Sequence, residues 1–422
     1  MKIAVIGAGL TGLAAANNLL LRGHTVSVFE KATAAGGLAQ GFKGFGWSWP
    51  LEQHYHHVFT SDKVILNYAR YLDVPVDFKR PITSTFIDDS SFQIDDPISL
   101  IKFPKIGLID RVRVGLVLLY LKTSPFWRSL ETIPAHRFLR STMGEKVWKV
   151  LWEALFKKKF GKDYTKIPAS WFWARIKKRS AFLGYPRGGF QNLIDKSVKK
   201  IIKHGGKIFF KSEVTQITKH GKVIELTVNG RRHLFDKVIC TLPSNIFIKI
   251  CEGLPKQYKK QLAGLRGIGA INLILELNRQ FMKDDTYWLN INEMSYPFLC
   301  VVEHTNYINK NKYNDRHLLY IGNYLLPNHR YFKKDKNALI KEFLPYLTKI
   351  NPEFSLSWLK RSYLFKAPFA QPVVSLNYSK RLPALTTPIE GLYLANIQQV
   401  YPWDRGTNYS VELGFKVAEL IG

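Results

Sequence analysis

The hydrophobic pattern at the start of the chain is that of a strand, a helix and a second strand. Residues 3–6 form a short apolar run with β-branched side chains, which is typical of a buried parallel strand. Apolar side chains then recur at helical spacing over residues 10–20, and Gly23 follows as a C-terminal stop. Residues 25–29 predict a second strand, which ends at Glu30. The first thirty residues therefore predict a βαβ unit.

Further along the chain, helical and strand-like patterns follow one another. Amphipathic helices are expected over residues 62–72, 145–156, 190–203 and 337–347, and again in the last residues to Ile421. Strands are expected over residues 207–217, 222–228, 235–243, 267–277, 298–302, 317–324 and 391–395. This mixture predicts an α/β protein in which the strands after residue 267 form a second, mixed sheet.

The glycines between the first strand and the first helix have the spacing of a nucleotide-binding turn. Gly7, Gly9 and Gly12 follow the strand as G-x-G-x-x-G. Gly7 permits the tight turn, Gly9 lets the backbone approach a pyrophosphate, and Gly12 lets the helix pack on the sheet. Glu30 is placed to bind ribose hydroxyls, and an acid there argues against a 2′-phosphate. The complete set favours a dinucleotide site over a chance glycine-rich loop.

Composition limits the class of protein further. The 422 residues, 46% of them hydrophobic and 14% aromatic, are enough for two or three domains. No stretch reaches the roughly 18 apolar residues that a membrane span needs, and glycines within the first apolar run argue against a secretory signal. Three cysteines without C-x-x-C spacing predict neither a disulfide framework nor a zinc cluster, so a reducing cytoplasm is expected.

The charge balance indicates an anionic partner or surface. Lysine and arginine number 62 against 32 acidic residues, a formal net charge of +30. Residues 157–159, 177–179 and 333–334 form basic clusters, for which three interpretations stay open. They are a solvated basic face, contact with the acidic inner face of a membrane, and nucleic acid, which is the least favoured because no nucleic-acid-binding motif accompanies the charge.

A segment rich in histidine and aromatic residues follows the nucleotide-binding unit. Residues 41–49 combine glycine with aromatic side chains, and residues 52–57 read Glu-Gln-His-Tyr-His-His. If this segment is a strand, His54 and His56 share one face and His57 takes the other. No downstream residues complete a metal site, so the histidines are either structural or lie beside a planar cofactor. Trp171 and Trp173 line a pocket or belong to the core.

Several later segments extend the glycine motif along the chain. They are Gly36-Gly37, residues 188–214, residues 236–243 with a terminal T-x-P, and residues 391–414. In this order they resemble the superfamily of flavin-containing amine oxidases, protoporphyrinogen oxidases and phytoene desaturases. Residues 55–59, 303–306 and 401–406 are similar to one bacterial subgroup of it.

The resemblance implies FAD as the cofactor and a fold of two domains. A Rossmann-like FAD-binding domain would comprise residues 1–75, 185–250 and 385–422, and a mixed-sheet plus helical substrate domain residues 76–184 and 251–384. In this arrangement residue 214 holds the adenine, residues 408–410 meet the flavin pyrimidine edge, and residues 52–57 lie near the isoalloxazine. The residues that the resemblance assigns to the cofactor are Gly7, Gly9, Leu10, Thr11, Gly12, Glu30, Lys31, Gly36, Gly37, Leu38, Val214, Asn408, Tyr409 and Ser410.

Two positions depart from the family pattern. Leu38 stands where many members carry a basic residue, and Ile397 stands where they carry an acid. One expected flavin contact is therefore missing, and Asp404 or Arg405 is the proposed replacement.

The resemblance predicts an FAD-dependent oxidoreductase that takes a hydride equivalent from an organic substrate. The aromatic-rich middle of the chain and its basic charge indicate an apolar substrate collected at a membrane face. His56 and His57 are the candidate catalytic residues, and no metal is expected. One alternative is a non-redox flavoenzyme similar to UDP-galactopyranose mutase, in which the basic surface serves a diphosphate substrate. The other is a nucleotide-binding scaffold without catalysis.

Overall fold

A five-stranded parallel sheet forms the first layer of the fold. In the computed structural model, which describes residues 1–421, its strands lie in the spatial order Lys207–Phe209, Thr25–Phe29, Lys2–Ile6, Lys237–Cys240 and Leu392–Leu394. All four pairings are parallel. The central strand is buried from Ile3 to Ile6, as expected for a parallel strand covered on both faces.

Three helices form a layer beside this sheet, and the first of them packs against the other two. They are Leu10–Leu21, Gly189–Lys203 and Thr407–Glu419, with Lys63–Tyr71 alongside. A Cβ at Gly414 would lie 2.3 Å from the carbonyl oxygen of Thr11, so the last helix crosses the first at backbone contact. The buried Asn17 amide donates to Tyr68 and Ser197 at 3.0 Å each, and thereby ties three of the helices together.

A seven-stranded mixed sheet forms the second layer. Its spatial order is Leu359–Pro372, Gly267–Leu277, His317–Leu325, Cys300–Glu303, Thr286–Ile291, Ile82–Ile87 and Ser90–Gln93. Only the pairing of Thr286–Ile291 with Ile82–Ile87 is parallel. The alternating residues of the long strand from Gly267 pack in one apolar cluster with the helix Lys336–Ile350, and the predicted mixed sheet is confirmed.

Smaller sheets, α-helices and several short 3-10 helices make up the rest of the regular structure. The small sheets consist of Val214–His220, Val223–Val228 and Arg231–Phe235; of Val58–Phe59, Leu183–Pro186 and Val76–Lys79; and of Gly41–Phe42 and Leu51–Glu52. The remaining helices are Pro97–Lys102, Leu108–Thr123, Trp127–Leu130, Ala135–Met143, Glu145–Val147, Glu153–Phe160, Ala169–Lys178, Ser244–Ile250 and Lys256–Ala263, with a π turn over Trp148–Trp152. No helix among residues 1–421 is long and apolar enough to cross a bilayer.

Two of these helices, the outer helix (Leu108–Thr123) and the inner helix (Ala169–Lys178), are packed side by side. Lys177 donates to the Thr123 carbonyl at 2.7 Å, and the Trp173 indole donates to the Ser124 carbonyl at 2.9 Å. The pair therefore joins at the C-terminal end of the outer helix. Trp173 is a core residue of this junction.

The structure corrects two element boundaries. The strand expected over residues 207–217 is two strands in different sheets, because the chain turns at Lys211, whose φ is 52°. The helix expected over residues 145–156 contains the π turn and continues to Phe160. The strands of the parallel sheet come from the three segments assigned to the FAD domain, and those of the mixed sheet from the other two. The division into two domains stays a prediction.

Candidate functional site

The glycine turn has the geometry of an anion-binding helix start. Gly9 precedes the first helix, and no side chain caps the N-terminus of that helix, so its first N–H groups are available to an anion. A Cβ at Gly12 would lie 2.0 Å from the Gly7 carbonyl oxygen, so only glycine allows the helix to sit this close to the turn. A Cβ at Gly9 would meet no atom within 4 Å. The turn therefore leaves open space on the side where the predicted pyrophosphate would lie.

Glu30 stands at the end of the second strand and organises the backbone around the turn. Its carboxylate accepts hydrogen bonds from the N–H groups of Ala8 at 2.8 Å and Ala32 at 2.9 Å. The backbone of Glu30 also pairs with Phe209 and Ser212, each at 2.9 Å. The chain leading to Val214 is thus held against the acid that is expected to bind ribose.

The other residues predicted to hold the cofactor lie either near the glycine turn or at the end of the chain. Gly36 donates to the Ala8 carbonyl at 2.9 Å, and a Cβ at Gly37 would lie 3.4 Å from the Gly9 Cα, so this pair borders the glycine turn. Leu10 and Val214 are buried, Thr11 and Leu38 are half-buried, and Lys31 is exposed.

The end of the chain borders a second region, a cavity of about 320 Å³. Asn408, Tyr409 and the two residues before them line it, as do side chains from the inner helix, from the helix Glu153–Phe160 and from three strands of the mixed sheet. Its aromatic lining consists of Tyr55, Phe59, Trp152, Phe156, Phe160, Trp171, Phe172, Trp288, Tyr324 and Tyr409. Ser410 lies one residue beyond and donates to the Gly406 carbonyl at 3.1 Å. A cavity of this size and lining is typical of a small-molecule site.

The histidine segment (residues 54–57) forms part of the cavity wall. The chain here is irregular between the short strands Leu51–Glu52 and Val58–Phe59, so the strand-like alternation of the three histidines is wrong. His56 and His57 both line the cavity, whereas His54 accepts a hydrogen bond from Asn272 at 2.7 Å.

Burial controls the charge of these imidazoles. It lowers the pKa of His54 to about 3, of His56 to about 4 and of His57 to about 3, with the positive charge of Arg405 also acting on the first two. All three are therefore neutral at pH 7. A neutral imidazole can position a substrate or accept a proton, but it is not a charged acid.

Charged side chains occupy the same cavity. Five cationic residues line it, together with two carboxylates: Lys159, Arg175, Lys178, Arg179, Arg405, Asp62 and Asp404. Asp404 pairs with Arg175 at 2.6 Å, and Arg405 donates to the Tyr324 hydroxyl. These two residues of the closing loop thus have partners on the inner helix and the mixed sheet, and their expected role as a replacement for the acid at Ile397 stays a prediction.

Two of the basic clusters in the sequence do not form continuous surface patches. On the helix Glu153–Phe160, Lys157 pairs with Glu153 at 2.9 Å, Lys158 donates to the carbonyls of residues 291 and 293, and Lys159 lines the cavity. In residues 177–179 the first lysine binds the outer helix, and the other two residues line the cavity. Sequence reasoning missed Lys159, Arg175 and Arg179 as site residues, and of the two tryptophans it singled out, only Trp171 reaches the cavity.

Comparison with known proteins identifies the family. A model described as flavin containing amine oxidoreductase matches residues 10–397, and the chain belongs to this family. The family is one of FAD-dependent oxidoreductases, which confirms the expected fold class, enzyme class and cofactor. Membership of an enzyme family argues against the alternative of a scaffold without catalysis.

Individual relatives are more distant. A 4,4'-diapophytoene desaturase (4,4'-diaponeurosporene-forming) of Staphylococcus aureus (strain COL) is 39% identical over 97 residues, which is 20% of this chain and only 19% of the desaturase. A provisionally assigned protoporphyrinogen oxidase from Exiguobacterium sp. 255-15 superposes with a TM-score of 0.79 at 14% identity, covering 100% of this chain and 98% of the other. Reduced UDP-galactopyranose mutase gives a TM-score of 0.79 at 16% identity, with 100% and 95% covered. At these identities the two structures show a shared fold.

Proposed function

We propose that FAD lies from the glycine turn to the closing loop and that the protein takes a hydride equivalent from an organic, apolar substrate in the aromatic cavity. When bound, the flavin ring supplies the hydride acceptor. The observation that carries the proposal is that one cavity contains the predicted flavin-edge residues 408 and 409, the predicted catalytic histidines and a largely aromatic wall.

The residues proposed to hold FAD are those around the open space at Gly9. The uncapped helix start would bind the pyrophosphate, with Gly36 and Gly37 beside it. The Glu30 carboxylate, already fixed by two backbone N–H groups, keeps lone pairs for the ribose hydroxyls. The loop from Phe209 to Val214 would cover the adenine.

The chain's own groups would orient the substrate and exclude water. The aromatic wall provides an apolar surface, and the neutral imidazoles of His56 and His57 provide hydrogen-bonding positions without a charge. Substituting both with glutamine keeps their hydrogen-bonding capacity but removes the ring and its basic nitrogen. We expect slower flavin reduction by substrate, at unchanged FAD content. An unchanged reduction rate would remove the two histidines from the proposal.

Flavin bleaching identifies the substrate class directly. The purified holoprotein is titrated anaerobically with candidate apolar compounds, and loss of the oxidised flavin band marks a reductant. Holoprotein that no member of an organic series reduces, while dithionite reduces it fully, would contradict the proposed reaction.

An outer apolar face supports collection of the substrate from an acidic membrane. On the outer helix, large apolar side chains at helical spacing point away from the core, and most of them are at least half exposed. They are Leu108, Ile109, Val112, Leu116, Leu119 and Tyr120. Exposed basic residues lie on the outer helix and on the helices before and after it in the chain, at Lys122, Lys102 and Arg128, and acidic lipid would attract their charge. We therefore propose a peripheral protein at the cytoplasmic side of a membrane.

Flotation with liposomes tests this surface. Liposomes containing phosphatidylserine should carry the wild-type protein, and binding should weaken with salt. Leu116→Glu should reduce binding at least tenfold, whereas Leu21→Glu, at an exposed leucine outside the face, should not change it. Equal loss in both variants, or no flotation of the wild type, would contradict the surface.

A non-redox reaction on a sugar nucleotide is the second candidate, and the five cationic residues of the cavity favour it because such a substrate carries a diphosphate. The two reactions differ in their use of reducing equivalents. Turnover that requires a reduced flavin, but consumes no reductant, would support the second candidate over the first.

A further inference from the structure

The cavity holds more positive charge than its own carboxylates balance. Asp404 feels the positive charges of Arg175, Lys159 and Arg405, but its ion pair is with Arg175. Among residues 1–421, Lys159, Arg179 and Arg405 have no carboxylate oxygen within 4 Å of their side-chain nitrogens. The other carboxylate, Asp62, accepts from the Phe59 N–H at 2.8 Å. These three cationic side chains therefore face one cavity without an ion-pair partner, as does Lys178, whose amine lies 4.5 Å from the ring centre of Trp403.

Lys159 has the least favourable surroundings for a positive charge among Lys159, Arg179 and Arg405. Its amine makes no hydrogen bond to the described residues and lies among aromatic rings, 4.7 Å from the ring centre of Tyr324 and 5.1 Å from that of Trp171. Burial, and then the nearby Arg175, hold the pKa of Lys159 well below its usual value. The ring faces stabilise a cation only in part, so the amine would gain most from an anion that entered the cavity.

The guanidinium groups leave further donors free. Arg405 uses one terminal nitrogen for Tyr324, and its Nε is buried without a partner. Arg179 follows the inner helix directly, and its guanidinium makes no hydrogen bond within the described chain. A guanidinium has five N–H donors in a planar fork, an arrangement that suits the oxygens of a phosphate or carboxylate.

We propose that Lys159, Arg179 and Arg405 form an oxyanion subsite, which binds a phosphate or carboxylate group carried by the substrate. This inference rests on the proposed function, because it specifies the substrate of the same cavity. The substrate would then be an apolar compound with one anionic group. The aromatic wall would contact the apolar part.

Anion binding to the oxidised holoprotein tests the subsite without turnover. Inorganic phosphate, diphosphate and succinate are titrated separately, with the flavin absorbance spectrum and calorimetry as readouts. We expect saturable binding of at least one of them, and the order of affinities distinguishes phosphate chemistry from carboxylate chemistry. Absence of binding by both readouts for all three anions would overturn the proposal.

Matched variants locate the bound anion. Lys159→Gln and Arg179→Gln should each weaken binding about tenfold or more, because each removes a charged donor. Lys159→Arg should restore part of the affinity. Lys157→Gln and Lys177→Gln remove equal charge from the same two segments but outside the cavity, and they should leave the affinity for the anion unchanged. Equal weakening in the control variants would show a general charge effect and overturn the subsite.

The subsite and the proposed reaction can fail separately in these experiments. If the anions bind as expected but no organic compound reduces the flavin, the subsite stands and the hydride-transfer proposal fails. If a neutral apolar compound reduces the flavin rapidly and Lys159→Gln leaves both its rate and all anion affinities unchanged, the reaction stands and the subsite fails.

Discussion

Alanine at Gly9 and at Gly12 introduces the same methyl group three residues apart, into different surroundings. At Gly12 the new Cβ would lie 2.0 Å from the Gly7 carbonyl oxygen and 3.1 Å from a methyl group of Val5. At Gly9 it would meet nothing within 4 Å, and the backbone there, with φ of −75° and ψ of 174°, is allowed for any residue. The methyl group at position 12 enters the protein core, and the one at position 9 enters the space proposed for the pyrophosphate.

The expected magnitudes follow from these distances. Overpacking against backbone costs about 1–3 kcal/mol, and the Gly12 contact is close enough to put its cost near 3 kcal/mol after any gain in helix propensity. Gly9→Ala should change the free energy of unfolding of the apoprotein by less than about 1 kcal/mol. It should weaken FAD binding by about 1–3 kcal/mol, roughly 5- to 150-fold, because the methyl group and the pyrophosphate need the same volume.

Two assays separate these effects. Urea unfolding of FAD-free protein, followed by the fluorescence of its 10 tryptophans, measures stability, and quenching of flavin fluorescence measures FAD affinity. Gly115→Ala is the matched control, since a Cβ at Gly115 also meets nothing within 4 Å but lies on the outer helix. It should leave FAD affinity unchanged. FAD affinity equal to wild type in Gly9→Ala would refute the assignment of the open space, and unaltered apoprotein stability in Gly12→Ala would refute the packing argument.

Three further predictions concern buried polar groups. Lowering the pH from 6.5 to 5 should lower the urea midpoint, because the histidine segment stays neutral when folded but binds protons when unfolded, at up to about 1.4 kcal/mol per imidazole and pH unit. Glu52 acts in the opposite direction, because burial raises its pKa to about 7. Glu52→Gln should therefore steepen the fall of the urea midpoint with falling pH. A urea midpoint that rises on acidification would contradict this. Tyr185→Phe removes the 2.7 Å hydrogen bond to Glu52 and should lower the free energy of unfolding, measured in urea, by about 1–3 kcal/mol. An unchanged free energy of unfolding would show that the carboxyl finds another donor. Asp404→Ala and Arg405→Ala should each lower FAD affinity if they replace the missing family acid, and stoichiometric FAD with unchanged affinity in both would discard that role.

The sequence predicts the nucleotide unit well because its signals are local. The strand expected over residues 25–29 is Thr25–Phe29 in the structure, and the helix expected over residues 10–20 is Leu10–Leu21. Glycine spacing, β-branched runs and a terminal acid specify such a unit within thirty residues. The same holds for the last strand and the last helix, which directly follow Gly391 and Gly406.

The cavity is harder to predict because its side chains converge from distant elements. Neighbouring residues on a helix point about 100° apart, so three consecutive lysines face three environments, and only the packed fold shows which one enters the cavity. The π turn before this helix changes the register of later side chains, and Trp152 and Leu155, from the helix expected over residues 145–156, line the cavity. A charge run in a sequence therefore does not define a surface patch.

If the outer apolar face contacts a membrane as proposed, the side-by-side packing of the outer and inner helices sets the depth of the site below the lipid. Packed helices have axes about 8–10 Å apart, so on a bilayer contacted by the outer apolar face the inner helix would lie one helix layer from the lipid. A substrate with an anionic group held between Arg179 and Lys159 could then keep its apolar end toward the acyl chains. Its passage from lipid to flavin would cover about the thickness of one helix and would require no transfer of the whole molecule through bulk water.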